Sequence, residues 1–361
     1  MKQFFRRLPG RLLRISSFIG VVGVLLAKLA TELSPEVSTI PAFFGLTYAF
    51  WLLISLIGLA YAISRARWFM AAMVLFVLLF TSDLMKRTIV PVNEVSEKEA
   101  KLSIMSYNVR LFDLYNWTDG KNTRNQIFDF LKENPTDVIC FQEFYHTERK
   151  GVFDTRDTLL TFLDNKYYHE RYTHQMNGKQ YFGVVTFSKY PIVNKGEIEF
   201  ASDVNNFCIY SDILVDGDTV RVYNAHLASI RLQKEDYTAL EEGPDTKDAK
   251  RLVGRFEMAY MKRASQVGVV SAHIARSPHP VVLSGDFNDT PVSYAYEQFT
   301  QCGLQDAFVA RGKGIGSTHI GAYPFFRIDY VMHSPSMRAE RFTTHPVKYS
   351  DHRPVEAHLS W

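Results

Sequence analysis

Between residues 15 and 85 the chain is overwhelmingly apolar, and this restricts what its first quarter can become. Three segments stand out, at about 15–33, 41–63 and 68–85. A hydrocarbon core of roughly 30 Å calls for about 20 apolar residues in a helix. The second segment meets that length and the third is near its lower limit. The first is interrupted by Lys28, a residue that can reach the interface when it lies near a helix end. A cleaved signal peptide is the competing reading of this segment, because a basic stretch precedes it. Against that reading, Lys28 occupies the place where a small residue should precede a cut after Ala30. The sequence therefore divides into a membrane anchor of three transmembrane helices over 1–85, a polar linker over 86–100 and a soluble domain over 101–361.

The net charge of +3 is informative only when divided. Residues 1–14 hold five basic groups (Lys2, Arg6, Arg7, Arg11, Arg14) and no acid, while residues 15–100 balance. That leaves −2 for 101–361, without the excess positive charge of a domain gripping many phosphates. Arg65 and Arg67 lie between the second and third segments, whereas the first connection holds Glu32 and Glu36. The positive-inside rule then puts the N-terminus in the cytoplasm and the soluble domain on the extracytoplasmic, periplasmic side. Lys86 and Arg87 run against this orientation. The three cysteines (Cys140, Cys208, Cys302) are widely spaced, with no CxxC, so neither a disulfide framework nor a zinc site follows.

From Leu102 short apolar runs alternate with helical periodicity. The patterns predict strands over 102–107, 137–142, 183–188, 208–215, 219–226, 281–284 and 327–332. Helices are expected over 122–133, 158–163, 248–275 and 293–301. Mixed elements in a domain of this length imply a layered α/β fold. The charged stretch from Ala228 to Arg255 is long enough for a lid or specificity loop.

Polar residues end or interrupt those apolar runs. In order they read Ser106-Tyr107-Asn108, Gln142-Glu143, Asn224-Ala225-His226, Gly285-Asp286-Phe287-Asn288, Arg327-Ile328-Asp329-Tyr330 and Ser350-Asp351-His352. Glu143 is the obvious carboxylate for a hard cation, with Asn108 a supporting oxygen. Asp286 and Asn288, two apart, would point to one side of an extended chain; the competing reading is a turn after a strand. A carboxylate there can take a proton from water while the carboxamide orients it. His226 follows Asn224 by the same step, at the end of a face that starts apolar. His352 needs a partner to fix its tautomer, and Asp329 or Asp351 can serve.

This ordered series resembles the endonuclease/exonuclease/phosphatase superfamily, and the resemblance covers residues 102–361. No single motif is specific; six in the correct order are. The run from Gly183 to Ile192 is similar to the family's central strand and turn. The resemblance implies a four-layer α/β sandwich of two packed, largely antiparallel sheets with helices outside. It also implies in-line attack of water on phosphorus with Mg²⁺ or Mn²⁺. By motif match, Asn108 and Glu143, with Asp351 a further ligand, take the metal's neighbourhood. Asp286 matches the residue that activates water and Asn288 the one that positions it. His226 and His352 match the pair that stabilises transition-state charge or protonates the leaving oxygen, and Asp329 the carboxylate that orients His352. Asn224 and Arg110 are the expected substrate contacts. Arg110 also departs from the pattern, since nucleases of this family often carry an acid there.

Three functions remain to be separated. An anchored phosphoesterase or phosphodiesterase, with lipid headgroups or small phosphoesters as substrates, suits the missing basic stripe. A nuclease acting on DNA or RNA would need a local basic groove. An inactive scaffold would normally have lost the acid, the base or a histidine, and all are present.

Overall fold

The structure is a computed structural model and describes residues 2–91, 96, 98–117, 122–149, 151, 153–176, 179–201, 203, 205–232, 235–236, 238, 243, 245–321 and 326–361. Much of the expected linker and part of the 228–255 stretch lie outside these. Two compact units form: Met1–Thr88 with Lys234–Ala264 and Asp289–Glu297, and Ile89–Gln233 with Ser265–Asn288 and Gln298–Trp361.

The second unit contains two six-stranded sheets. One has the order β11-β12-β1-β2-β4-β3 and the other β5-β6-β7-β8-β10-β9. The strands are β1 (Leu102–Asn108), β2 (Val138–Thr147), β3 (Tyr167–Met176), β4 (Gln180–Ser188), β5 (Ile192–Ile198), β6 (Phe207–Val215), β7 (Asp218–His226), β8 (Val281–Asp286), β9 (Gln305–Asp306), β10 (Asp329–His333), β11 (Arg338–Thr344) and β12 (Val355–Ser360). Each sheet holds one parallel pair, β1–β2 and β7–β8, and is otherwise antiparallel. The expected sandwich of mixed sheets is therefore present.

Side-chain alternation explains the layers. Leu102, Ile104, Val138 and Cys140 of the first sheet meet Ile213, Val220, Val222, Val282 and Val331 of the second. The intervening Met105, Tyr107, Ile139 and Phe141 face the other way, against Ile127, Phe128 and Leu131 of the Thr123–Glu133 helix and Leu159 of the Thr155–Phe162 helix. Being covered on both faces, β1 is buried at all seven positions. The unrecognised strands β3, β5, β9 and β11 are sheet edges and β12 lies next to one, where polar sequences such as Arg-Ala-Glu-Arg mask the apolar signal.

In the first unit one helix, Gly10–Glu32, is long and apolar enough to cross a membrane, with mean hydropathy 1.9. The continuous second and third spans expected at 41–63 and 68–85 are broken. Ile40–Leu46 and Tyr48–Ser64 meet at 73°, and Trp68–Phe80 and Ser82–Thr88 at 58°. The breaks fall at Thr47 and Thr81, whose hydroxyls donate to the carbonyls of Phe43 (2.7 Å) and Val77 (2.8 Å) four residues back. Such back-bonding bends helices. Among its described residues the unit gives one candidate span, or three if each bent pair counts as one. Small residues let the helices approach closely: a Cβ on Gly58 would stand 2.1 Å from Ser17 Oγ.

Candidate functional site

The polar motifs meet where strands of both sheets end. Register places them: His226 on β7 pairs with Asp286 on β8, and Asp286 pairs with Asp329 on β10. Three functional side chains thus stand abreast on one sheet. On the other sheet, β1 ends at Asn108, next to Gln142 of β2.

Glu143 arrives by a different device. The β2–β4 ladder carries a register shift between Phe141 and Phe144, and Glu143 there has φ +49°. A bulge of this kind re-aims one side chain while the strand continues. It also explains why β2 runs on to Thr147 instead of stopping at Gln142. Gly285, with φ +150°, permits a close strand approach; a Cβ there would lie 1.9 Å from the Ala225 carbonyl oxygen.

The contacts among these groups are short. Asn108 Nδ2 donates to Asp286 Oδ2 at 3.0 Å and lies 3.4 Å from Glu143 Oε1. His226 Nε2 stands 3.9 Å from both Glu143 Oε1 and Asp286 Oδ2, and His352 Nε2 stands 3.7 Å from Asp286 Oδ2. On its other side His352 Nδ1 is 2.9 Å from Asp329 Oδ2. Asp329 is itself held in place, because its N–H and that of Ile328 both donate to Thr318 Oγ1. Arg110 Nε pairs with Asp351 Oδ2 at 3.1 Å, and its guanidinium lies over the Trp117 ring.

The electrostatics follow from this crowding. Burial opposes charge on His352, but Asp329 and Asp286 outweigh it and raise its pKa well above the ordinary value. Burial lowers the pKa of His226, and the neighbouring His352 adds to this against the pull of Asp286. Asp286 is raised, chiefly by burial. Glu143 is raised by the surrounding protein and by the charge of Asp351, although a third of its side chain still meets solvent.

Two expected residues behave differently. Asn288 is not extended from Asp286: it has φ +53°, and its N–H donates to Asp286 Oδ1 at 2.8 Å in a turn. Its carboxamide Nδ2 is taken by the Leu227 carbonyl at 3.0 Å. Asn224 lies beneath the cleft. It is fully buried, and its Nδ2 donates to the carbonyls of Phe141 and Val185 on the opposite sheet, while Gln142 Nε2 donates to its Oδ1. A side chain so engaged ties the two sheets together.

Sequence reasoning overlooked His319. It pairs by an isolated bridge with His352, the two rings 5.6 Å apart and nearly perpendicular. A lone histidine between Gly316 and Gly321 carries no sequence signal. A cavity of about 320 Å³, whose walls include Glu143, His226, Leu111, Phe182, Asn206 and Arg231, also went unpredicted. Elsewhere His146, Asp154 and Asp157 cluster, but Arg156 already binds Asp157 at 2.9 Å.

A model of the Endonuclease/Exonuclease/phosphatase family matches residues 105–352. The chain belongs to this family. Its members are metal-dependent phosphoester hydrolases, and so is this chain. Residues 10–88 match a second family, described as a domain of unknown function (DUF8431). No curated protein matches the chain. Among solved structures it is similar to an endonuclease/exonuclease/phosphatase from Bacteroides vulgatus, with TM-score 0.52 and 18% identity over 72% of this chain and 98% of the other. A functionally unknown conserved protein from Enterococcus faecalis V583 gives 0.51 and 15% over 72% and 99%. A mannosyl-6-phosphatase from Bacteroides thetaiotaomicron VPI-5482 gives 0.50 and 17% over 72% and 100%. At these identities the likeness establishes the fold.

Proposed function

We propose that this family member is a membrane-anchored hydrolase of compact phosphoesters, a phosphorylated sugar or polyol or a lipid headgroup, and not a nuclease. The observation that carries this reading is the cavity beside Glu143 and His226. At about 320 Å³ it suits one ring or headgroup, being near the small end of ligand pockets. Its Ser229 offers a hydrogen bond to a hydroxyl, and Phe182 and Leu111 offer apolar contact. The net −2 of residues 101–361 supports it further. One solved neighbour is named a mannosyl-6-phosphatase, a sugar-phosphate enzyme.

The residues fit the metal that the family uses. Four carboxylates (Glu143, Asp286, Asp329, Asp351) crowd the site, and their oxygens suit Mg²⁺ or Mn²⁺. Glu143, with Asn108 and Asp351 beside it, would hold the ion, which when bound supplies positive charge to the phosphoryl oxygens.

The remaining chemistry belongs to the side chains. Asp286 accepts a proton from the attacking water; a carboxyl raised by burial is a stronger base than an exposed one. Asn288, turned back on Asp286, holds that carboxylate through its N–H. His352, kept as imidazolium by Asp329, faces the charge that spreads over the phosphoryl group. His226 Nε2 is buried and, among the described residues, makes no hydrogen bond, its carboxylate neighbours standing 3.9 Å away, so a substrate oxygen can take that place. As the new P–O bond forms and the ester P–O bond breaks, the departing alkoxide takes one proton from the His352 imidazolium, and the proton drawn from water stays on Asp286. Arg110, fixed between Asp351 and Trp117, is assigned to the phosphoryl oxygens.

For the anchor, the Gly10–Glu32 helix and the two bent pairs act as three crossings, with the N-terminus cytoplasmic and the enzyme extracytoplasmic. The decisive experiment assays the full chain in detergent with Mg²⁺ or Mn²⁺ against sugar phosphates, lipid headgroup esters and plasmid DNA, with Asp286→Asn as control. Cleavage of the first or second class, lost in the variant, supports the reading. Cleavage of DNA in preference to both overturns it.

A further inference from the structure

The outward arc of the Thr246–Ile274 helix is unusual for a water-facing surface. In its first half Val253, Met258 and Met261 are 44%, 55% and 41% exposed. At 3.6 residues per turn they share an arc with Gly254 and with Glu257, whose carboxylate is held by Thr39, and Lys247 and Lys250 lie on the same arc one to two turns earlier. Arg251, Arg255 and Lys262 border it. The opposite arc, with Leu252, Ala259 and Tyr260, is buried. Single exposed hydrophobics are ordinary. Three within little more than two turns, framed by basic residues, give the profile of a helix lying in a lipid headgroup layer.

What this face meets is indicated by what packs beside it in the same unit. Thr39 Oγ1 donates to Glu257 at 3.2 Å, and the Phe43 ring lies 5.8 Å from Phe256 and 5.5 Å from Tyr260. Both partners follow the end of the Gly10–Glu32 helix. At that same end Lys28 pairs with Glu32 and Asp83, and Arg87 with Asp83 and Glu297. Gly45 sits so close to Val292 that a Cβ would stand 2.2 Å from its carbonyl oxygen. Ion pairs gathered at one end of an apolar helix, and next to the helix breaks, mark a water–lipid boundary. Glu257, which Thr39 holds, lies on the arc itself between Val253 and Met261, with Phe256 and Tyr260 at its edge, so the arc adjoins the anchor and the two can share one lipid surface.

We propose that the Val253–Met258–Met261 face rests in the headgroup layer of the membrane that holds the anchor, with Lys247 and Lys250 drawing anionic lipid to it. The inference rests on the anchor reading above and is independent of the catalytic one. Its test uses the full chain in nanodiscs of phosphatidylcholine and phosphatidylglycerol. An environment-sensitive fluorophore is placed on Met258→Cys, on Met261→Cys and, as a water-exposed control, on Lys166→Cys, each in a Cys302→Ala background; Cys140 and Cys208 are buried. Labels at 258 and 261 should be quenched by headgroup-proximal nitroxide lipids and shielded several-fold from aqueous iodide relative to position 166. Omitting phosphatidylglycerol should reduce both effects. Iodide quenching equal to that at 166 overturns the proposal, as does 258–258 cross-linking between chains that persists on dilution with empty lipid, which would assign the face to a second copy. Carbonate extraction separates the two levels. Release of the chain sinks the anchor reading itself, whereas retention with water-exposed labels sinks only this inference.

Discussion

His352 Nδ1 lies 2.9 Å from Asp329 Oδ2, which leaves Nε2 as the nitrogen that reaches into the cleft. The pair fixes both the tautomer and the charge of the ring. Asp329→Asn should therefore lower kcat by about 10²-fold with little change in KM. The pH profile gives the sharper readout. A raised pKa keeps His352 charged until the pH climbs through that value, so an activity needing imidazolium falls on the alkaline side. Removing Asp329 lowers the pKa and should move the alkaline limb toward acid. An unmoved limb would show that His352 does not act as a cation.

Metal dependence should report on Glu143. Its carboxyl is crowded by protein and repelled by Asp351, a strain that a divalent cation relieves. Chelation should abolish hydrolysis, and Mg²⁺ or Mn²⁺ should restore it. Glu143→Gln should raise the metal concentration for half-maximal activity by about tenfold or more, consistent with losing a charged ligand. An unchanged metal requirement would move the ion elsewhere in the site.

Much of this was legible in the sequence because a strand leaving a core announces itself. Val220, Val222, Asn224 and His226 run from apolar to polar along one face, and register then places His226 beside Asp286. The features that the sequence did not convey depend on backbone departures or on depth. Glu143 owes its aim to a bulge with φ +49°, and Asn288 its turn to φ +53°. Arg110 begins a left-handed turn that continues through Leu111, Phe112 and Asp113, with φ between +44° and +59°; four non-glycine residues in that region follow no propensity rule. Asn224 looks like a cleft residue in sequence, yet it lies one strand-step deeper than His226, where the two sheets meet. His319 and Arg231 reach the site from loops, where no periodicity points to them.

Asn224 yields a prediction opposite to the one its motif suggests. Its amide spans the sandwich to Phe141 and Val185, so Asn224→Ala removes the donor to two carbonyls and one of the three acceptors of the Gln142 amide. Buried groups left unpaired cost about 1–3 kcal/mol each, and partial relaxation should leave a net loss of about 2–3 kcal/mol. Thermal or urea unfolding should show this loss, while KM for any cleaved substrate stays within about twofold. A large rise in KM with unchanged stability would return Asn224 to the cleft.

Acid stability supplies the last test. His169 is buried against Ser211, with Nδ1 3.1 Å from its hydroxyl. Burial, aided by the charge of Lys195, pushes its pKa down to about 4. The unfolded chain binds that proton near pH 6.5, so between 6.5 and about 4 the unfolded state carries more protons than the folded one. Stability must then fall as pH falls across this window and level off below it. The slope for one such group is at most about 1.4 kcal/mol per pH unit, giving roughly 1–3 kcal/mol in total. His146, His273 and His333 are lowered by burial in the same direction, so the wild-type curve sums several groups. The contribution of His169 is isolated by subtracting the curve of His169→Gln, which cannot titrate but can still bond Ser211. The difference should grow from pH 4 to 6.5 and be flat above it. A flat difference throughout would show that His169 takes up its proton in the folded protein as readily as in the unfolded chain.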